Sequence, residues 1–129
     1  MFVVPNIQRI NISKQEKLYS DGVIFGNVLW ISGMLPIDSK GDIVGKGDAA
    51  LQGEQVFQNI HAVLEQAHLD FKDVVKLFIY LKNIDDRARI ALVRKNCFGD
   101  NLPASTLVEV SSLAHPDALL EIEAVAYRG

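Results

Sequence analysis

The apolar residues of this chain change period near its middle, and that change requires a fold mixing helix with sheet. Asp48 suits an N-cap, and beyond it Val56, Ile60, Val63, Leu64 and Ala67 recur at the three-to-four spacing of one helix face. Gln52, Gln55, Asn59, Glu65 and Gln66 occupy much of the remaining surface, so the spacing predicts an amphipathic helix lying over a sheet. From Val74 to Leu81 the period drops to two. Val75, Leu77, Ile79 and Leu81 then share one face, while Lys76, Phe78 and Tyr80 share the other, as in a strand with both faces largely covered.

The flanking segments extend this pattern. Gln8 to Ile12 alternates as a strand, and Val23–Phe25 and Val28–Ser32 flank Gly26-Asn27, a pair that tolerates the positive φ of tight hairpin turns. Met34 to Gly47 carries Pro36, Asp38, Gly41, Asp42, Gly45 and Gly47 and reads as an irregular loop, with Ile43-Val44 as a short edge strand. Asp85 or Asp86 can cap a second helix that runs to about Phe98, before Gly99, Asp100, Asn101 and Pro103. Ser105–Val110 and Leu119–Ala126 close the chain as strands. The expected architecture is a single α+β domain over residues 1–129, a mixed sheet with two helices on one face. Two helices leave the other face open, and Phe78 and Tyr80 on it call for a partner, most economically a second copy of the chain.

Charge and cysteine use narrow the function classes. Thirteen Lys and Arg against 16 Asp and Glu give a net charge of -3, a poor match to a phosphate backbone, so no nucleic-acid partner is expected. Cys97 is the only cysteine, so no internal disulfide is possible and a reducing, cytoplasmic location fits. Pro5, Asn6, Gln8 and Arg9 interrupt the apolar residues Phe2, Val3 and Val4 before they could form a signal peptide. No segment approaches the roughly 20 apolar residues that span a bilayer, so no membrane partner is expected.

Particular residues resemble the RidA (YjgF, enamine/imine deaminase) family along nearly the whole chain. Leu18-Tyr19-Ser20 is similar to that family's Pro-Tyr-Ser, and Gly26-Asn27 followed by Ile31-Ser32-Gly33-Met34-Leu35-Pro36 is similar to its Gly-Asn and Ser-Gly-Gln-Ile-Pro. Gln55, Asn59 and Leu64 match its first helix, Asp73-Val74-Val75-Lys76 its lead into the next strand, and Glu121-Ile122-Glu123-Ala124-Val125-Ala126 its Glu-Ile-Glu-Ala-Ile-Ala. The resemblance implies a chorismate-mutase-like subunit in a homotrimer, with three sheets forming a barrel, helices outside and clefts between subunits. It further implies hydrolysis of reactive enamines and imines, such as 2-aminoacrylate, to 2-keto acids and ammonia without a cofactor or metal.

On this resemblance Glu121 is the candidate water-positioning carboxylate, and Tyr19 and Ser32 line the cleft. Glu121 and Glu123 are two apart on a strand and therefore share a face, an arrangement suited to proton handling, or simply to lining a wet barrel. The family's deaminating branch holds the substrate carboxylate with an Arg in a Pro-Ala-Arg-Ser-Thr-like segment. Here that segment reads Pro103-Ala104-Ser105-Thr106, so Ser105 stands where the Arg would be. A hydroxyl supplies no charge, a loss of about 1.5–3 kcal/mol, and Ser105→Arg is expected to recover it. Ser105 and Thr106 remain candidate substrate-binding hydroxyls, or bond only to nearby backbone. The family's Asn in the second helix is replaced by Ala91, and that helix offers Arg87, Arg89 and Arg94 as alternative cations.

The remaining reactive side chains form no pattern. Cys97 has no matched His and reads as a small buried hydrophobe, while His61 and His68 stand seven apart on one helix, roughly 10 Å by rise, too far to share a metal unaided. Two functions therefore stand at this point. One is a deaminase of an imine or enamine with altered anchoring; the other is a non-catalytic small-ligand-binding or regulatory homotrimer of the same fold.

Overall fold

The structure, a computed structural model, describes residues 6–129, so the reading of residues 1–5 lies outside it. The chain runs β1 (Ile7–Ile10), β2 (Gly22–Phe25), β3 (Val28–Met34), α1 (Ala49–Gln66), β4 (Val74–Leu81), α2 (Asp86–Arg89), α3 (Ala91–Phe98), β5 (Ala104–Glu109) and β6 (Leu120–Tyr127). A single 3₁₀ turn, Phe71–Asp73, precedes β4. The strands form one sheet in the order β1-β2-β3-β6-β4-β5. Only β4 and β5 pair in parallel, because α2 and α3 supply the crossover between them; the other pairs are antiparallel. This is the expected α+β fold with a mixed sheet.

Local chemistry explains the elements. The Asp48 side chain accepts a hydrogen bond from the Leu51 N–H at 3.1 Å and caps α1 as expected. In the β2–β3 hairpin only Gly26, at φ 60°, adopts left-handed backbone, so glycine is required at the first turn position and Asn27 is not used in that way. Val56, Ile60, Val63, Leu64 and Ala67 are all buried, and they pack on Leu29, Ile31, Leu77, Ile79, Leu120 and Ile122 in one core. Phe57 ties this layer together, meeting Phe71 and Phe98 edge-on at 6.2 and 5.7 Å.

Four local expectations change. Gln52 does not share the polar helix face: it is fully buried, its amide donating to the Asp117 carbonyl at 3.0 Å and accepting from the Leu119 N–H at 2.7 Å. Backbone groups at the start of β6 need partners once helix and sheet close over them, and Gln52 supplies both. Val75 is exposed, because a register shift between Val74 and Lys76 puts Val74 on the buried face in its place. The second helix is split at Ile90, and neither Asp85 nor Asp86 caps it through its side chain; the Asp86 carboxylate instead accepts from Arg89 at 2.9 Å. Ile90 stays in the right-handed region (φ -93°, ψ -3°) at the joint between the two helical segments and is fully buried, packing beside Gly53 of α1. Ile43 makes one isolated bridge, to Ile37, rather than a strand with Val44.

The opposite sheet face is open in the single chain. Cross-strand pairing puts Trp30 beside Val125 and Phe25 beside Val28, and Trp30, Phe25, Val108 and Tyr127 are exposed. Phe78 and Tyr80 lie on this same face, half-buried, in register with Glu123 and Glu121. Among the described residues no helix is long and apolar enough to cross a membrane.

Candidate active site

Alternation along β6 turns Leu120, Ile122, Ala124 and Ala126 to the core and Glu121 and Glu123 to the open face, as expected. The Tyr80 hydroxyl donates to Glu123, and that bond, with burial and the two carboxylate charges, pushes the phenol up to about 12. Glu123 is thereby held as an acceptor. Burial raises the pKa of Glu121 above the ordinary glutamate value, and the neighbouring charge of Glu123 raises it further.

β3 positions Glu121 from the side. Its pairing with β6 slips between Ile31 and Met34, so Ser32 and Gly33 form a bulge beside the glutamates. The Glu121 side chain lies across Gly33: a Cβ there would meet the carboxylate oxygen at 2.6 Å and Cγ at 3.2 Å. Any larger residue at 33 would displace the carboxylate, which adds Gly33 to the candidate site; in the sequence it stands out only as part of the Ile31–Pro36 motif. Ser32 donates its hydroxyl to the Ser20 carbonyl at 2.6 Å, and its N–H donates to the Asp21 carbonyl at 2.9 Å. Ser32 therefore pins the segment that carries Tyr19, and its proton is committed. Tyr19 is 58% exposed, with the Lys17 ammonium 5.8 Å from its ring, and it lines with Gly33 and Asn59 a hollow of about 450 Å³.

The β5 candidates separate. Successive strand residues face opposite ways, so Ser105 points to the helix side and Thr106 to the open face. Thr106 accepts from the Lys76 ammonium at 2.8 Å. Ser105 accepts from Nη2 of Arg94 at 3.0 Å, so the position expected to be uncharged has a guanidinium beside it. Burial lowers the Arg94 pKa from the usual arginine value, and among the described residues it has no carboxylate partner. Arg87 and Arg89 lie on α2, before the break at Ile90. The signal for Arg94 was its spacing: it stands three residues after Ala91, hence on the same face of α3.

Ser105 and Glu121 do not meet within one chain. β4 lies between their strands, and the two side chains leave the sheet on opposite faces. Other reactive groups stay apart from both. Burial pushes the Cys97 thiol up to about 11, and His61 pairs on the outside of α1 with Glu65 at 2.8 Å and Asp70 at 3.4 Å.

Fold and site together describe a small α+β protein with a carboxylate pair on an open sheet face and a cationic edge. The family model described as Endoribonuclease L-PSP matches residues 10–128. The chain belongs to that family, which is the RidA/YjgF family of the sequence resemblance. It is 44% identical over 110 residues to a RutC family protein of Pyrococcus horikoshii, covering 85% of this chain and 86% of the relative. It is 39% identical to the 3-aminoacrylate deaminase RutC of Acinetobacter baylyi, over 78% of this chain and 79% of the relative. It is 34% identical to the 2-iminobutanoate/2-iminopropanoate deaminase of Escherichia coli, over 85% and 87%. The crystal structure of the YjgF gene product from E. coli superposes with a TM-score of 0.83 at 32% identity, covering 92% of this chain and 94% of that one.

Proposed function

We propose that this protein hydrolyses a small reactive imine or enamine to a carbonyl compound and ammonia, in a cleft closed by a second copy of the chain. The observation that carries the reading is Glu121, a carboxylate of raised pKa laid over Gly33 on an open sheet face, in a chain whose relatives include named imine and aminoacrylate deaminases. Glu121 accepts a proton from water as its oxygen attacks the carbon of the protonated imine, giving a neutral tetrahedral amino alcohol. Glu121 then passes the proton to nitrogen, the C–N bond breaks and ammonia leaves, while the hydroxyl proton returns to the Glu121 carboxylate as the carbonyl forms. An enamine enters the same route after protonation at carbon. The scheme uses no cofactor.

A homotrimer accounts for what one chain leaves incomplete. It would cover Trp30, Phe25 and Val108 and bring the β5 edge of one subunit toward Glu121 of the next. A solitary thiol and the acidic balance fit a cytoplasmic enzyme acting on a small metabolite rather than on nucleic acid. A non-catalytic, ligand-binding trimer is the second reading, favoured by the Ser32 and Thr106 hydroxyls being engaged within the chain.

The test combines light scattering with ammonia release from imines generated enzymatically from several amino acids. We expect a trimer that releases ammonia faster than buffer from at least one of them. A trimer inactive on the whole panel would favour the binding protein, and a monomer would remove the cleft.

A further inference from the structure

We propose that Arg94 is the substrate-carboxylate anchor of this protein, acting from helix α3 together with the Ser105 hydroxyl in place of a charged residue on β5. The inference rests on the deaminase reading for the identity of the anion. Three observations on the chain carry it. Arg94 is half-buried at the strand edge and has no carboxylate among the described residues to neutralise it. Its charge is therefore open to an anionic ligand, which a guanidinium holds with charge-assisted hydrogen bonds. Next, its Nη2 contacts Ser105 Oγ at 3.0 Å, which leaves the other guanidinium donors available. Because that hydroxyl accepts from Arg94, its own proton can point to the same anion, so charge and hydroxyl act as a pair. Finally, Ala91 lies one turn earlier on the same face and is exposed, leaving the approach to Arg94 clear.

The geometry specifies the ligand chemistry. A planar guanidinium with two parallel N–H groups matches a carboxylate, and its neighbour Ser105 adds a third donor. A small imine bearing a carboxylate next to the C=N carbon therefore fits this end of the cleft, with the reacting carbon toward a neighbouring subunit's Glu121. This also alters the expectation for Ser105→Arg: with Arg94 already beside it, a second guanidinium would repel the first, and the single substitution should not improve binding.

The test uses the whole protein and two probes, 2-oxobutanoate and its uncharged amide, titrated by calorimetry. Wild type is expected to bind the acid in preference to the amide. Arg94→Met should weaken the acid roughly ten- to hundredfold, the size of one lost charge-assisted interaction, and leave the amide unchanged. Arg94→Lys should retain part of the affinity, guarding against a folding defect in the Met variant. Arg94→Met combined with Ser105→Arg moves the charge back to the strand and should restore acid binding. Acid binding unchanged in Arg94→Met, equal loss of both probes, or no preference for the acid in wild type would each overturn the proposal. Imine hydrolysis measured alongside separates the two readings. An Arg94-dependent acid site in a protein that hydrolyses no imine sinks the deaminase and keeps the anchor; hydrolysis with Arg94-independent acid binding does the reverse.

Discussion

Glu121→Gln is expected to lower kcat for imine hydrolysis by about 10²–10⁴-fold, with a much smaller effect on KM. The amide preserves the shape that lies over Gly33 but accepts no proton from water at neutral pH. The same assignment fixes the sign of the pH dependence. Glu121 works as the ionised base, so activity is lost as pH falls through its pKa. Because burial and Glu123 raise that pKa, the acid limb of kcat/KM should lie above the ordinary glutamate value. Glu123→Gln removes the second cause and should move the limb to lower pH. Initial rates in wild type and both variants between about pH 4 and 8 decide it. A Glu121→Gln enzyme retaining wild-type kcat, or a limb indifferent to Glu123, would assign the chemistry elsewhere.

Ile60→Ala is expected to destabilise the protein by about 2–5 kcal/mol. Ile60 is fully buried between α1 and the sheet, within the cluster that holds Leu29, Leu77 and Ile122, and Ala leaves a cavity there. Gln58→Ala, on the exposed side of the same helix, should stay within about 0.5 kcal/mol. Denaturant unfolding of both variants at one protein concentration measures the contrast. The fixed concentration matters because association contributes to apparent stability. Equal stability in the two would mean that α1 has another face toward the sheet.

What the sequence disclosed followed from periodicity. The α1 stripe from Val56 to Ala67 and the β6 alternation from Leu120 to Ala126 are dictated by 3.6 and 2 residues per repeat, and both faces were assigned as the structure has them. Periodicity failed where the backbone is irregular. The register shift at Val74 moves Val75 to the surface, and the second helix divides at Ile90 without any Gly or Pro to announce it. Hydropathy failed at Gln52, whose burial depends on backbone partners some 65 residues away. The site was legible in the same measure. Glu121 could be placed on the open face from alternation alone, whereas Ser32 turned out to bond backward to Ser20, and the contact from Arg94 to Ser105 joins a helix to a strand. Contacts of that kind depend on how elements pack, which residue spacing within either element does not encode.

The central claim is an active site shared between chains, and subunit mixing tests it most directly. Glu121→Gln and Arg94→Met proteins are prepared separately, each expected to be weakly active, then mixed after reversible denaturation, with subunit exchange followed by native mass spectrometry. If each cleft takes Arg94 from one chain and Glu121 from its neighbour, random cyclic trimers regain both intact groups in about a quarter of their sites, and activity should rise accordingly. Fully exchanged trimers no more active than the average of the two parents would contradict a site built across the interface.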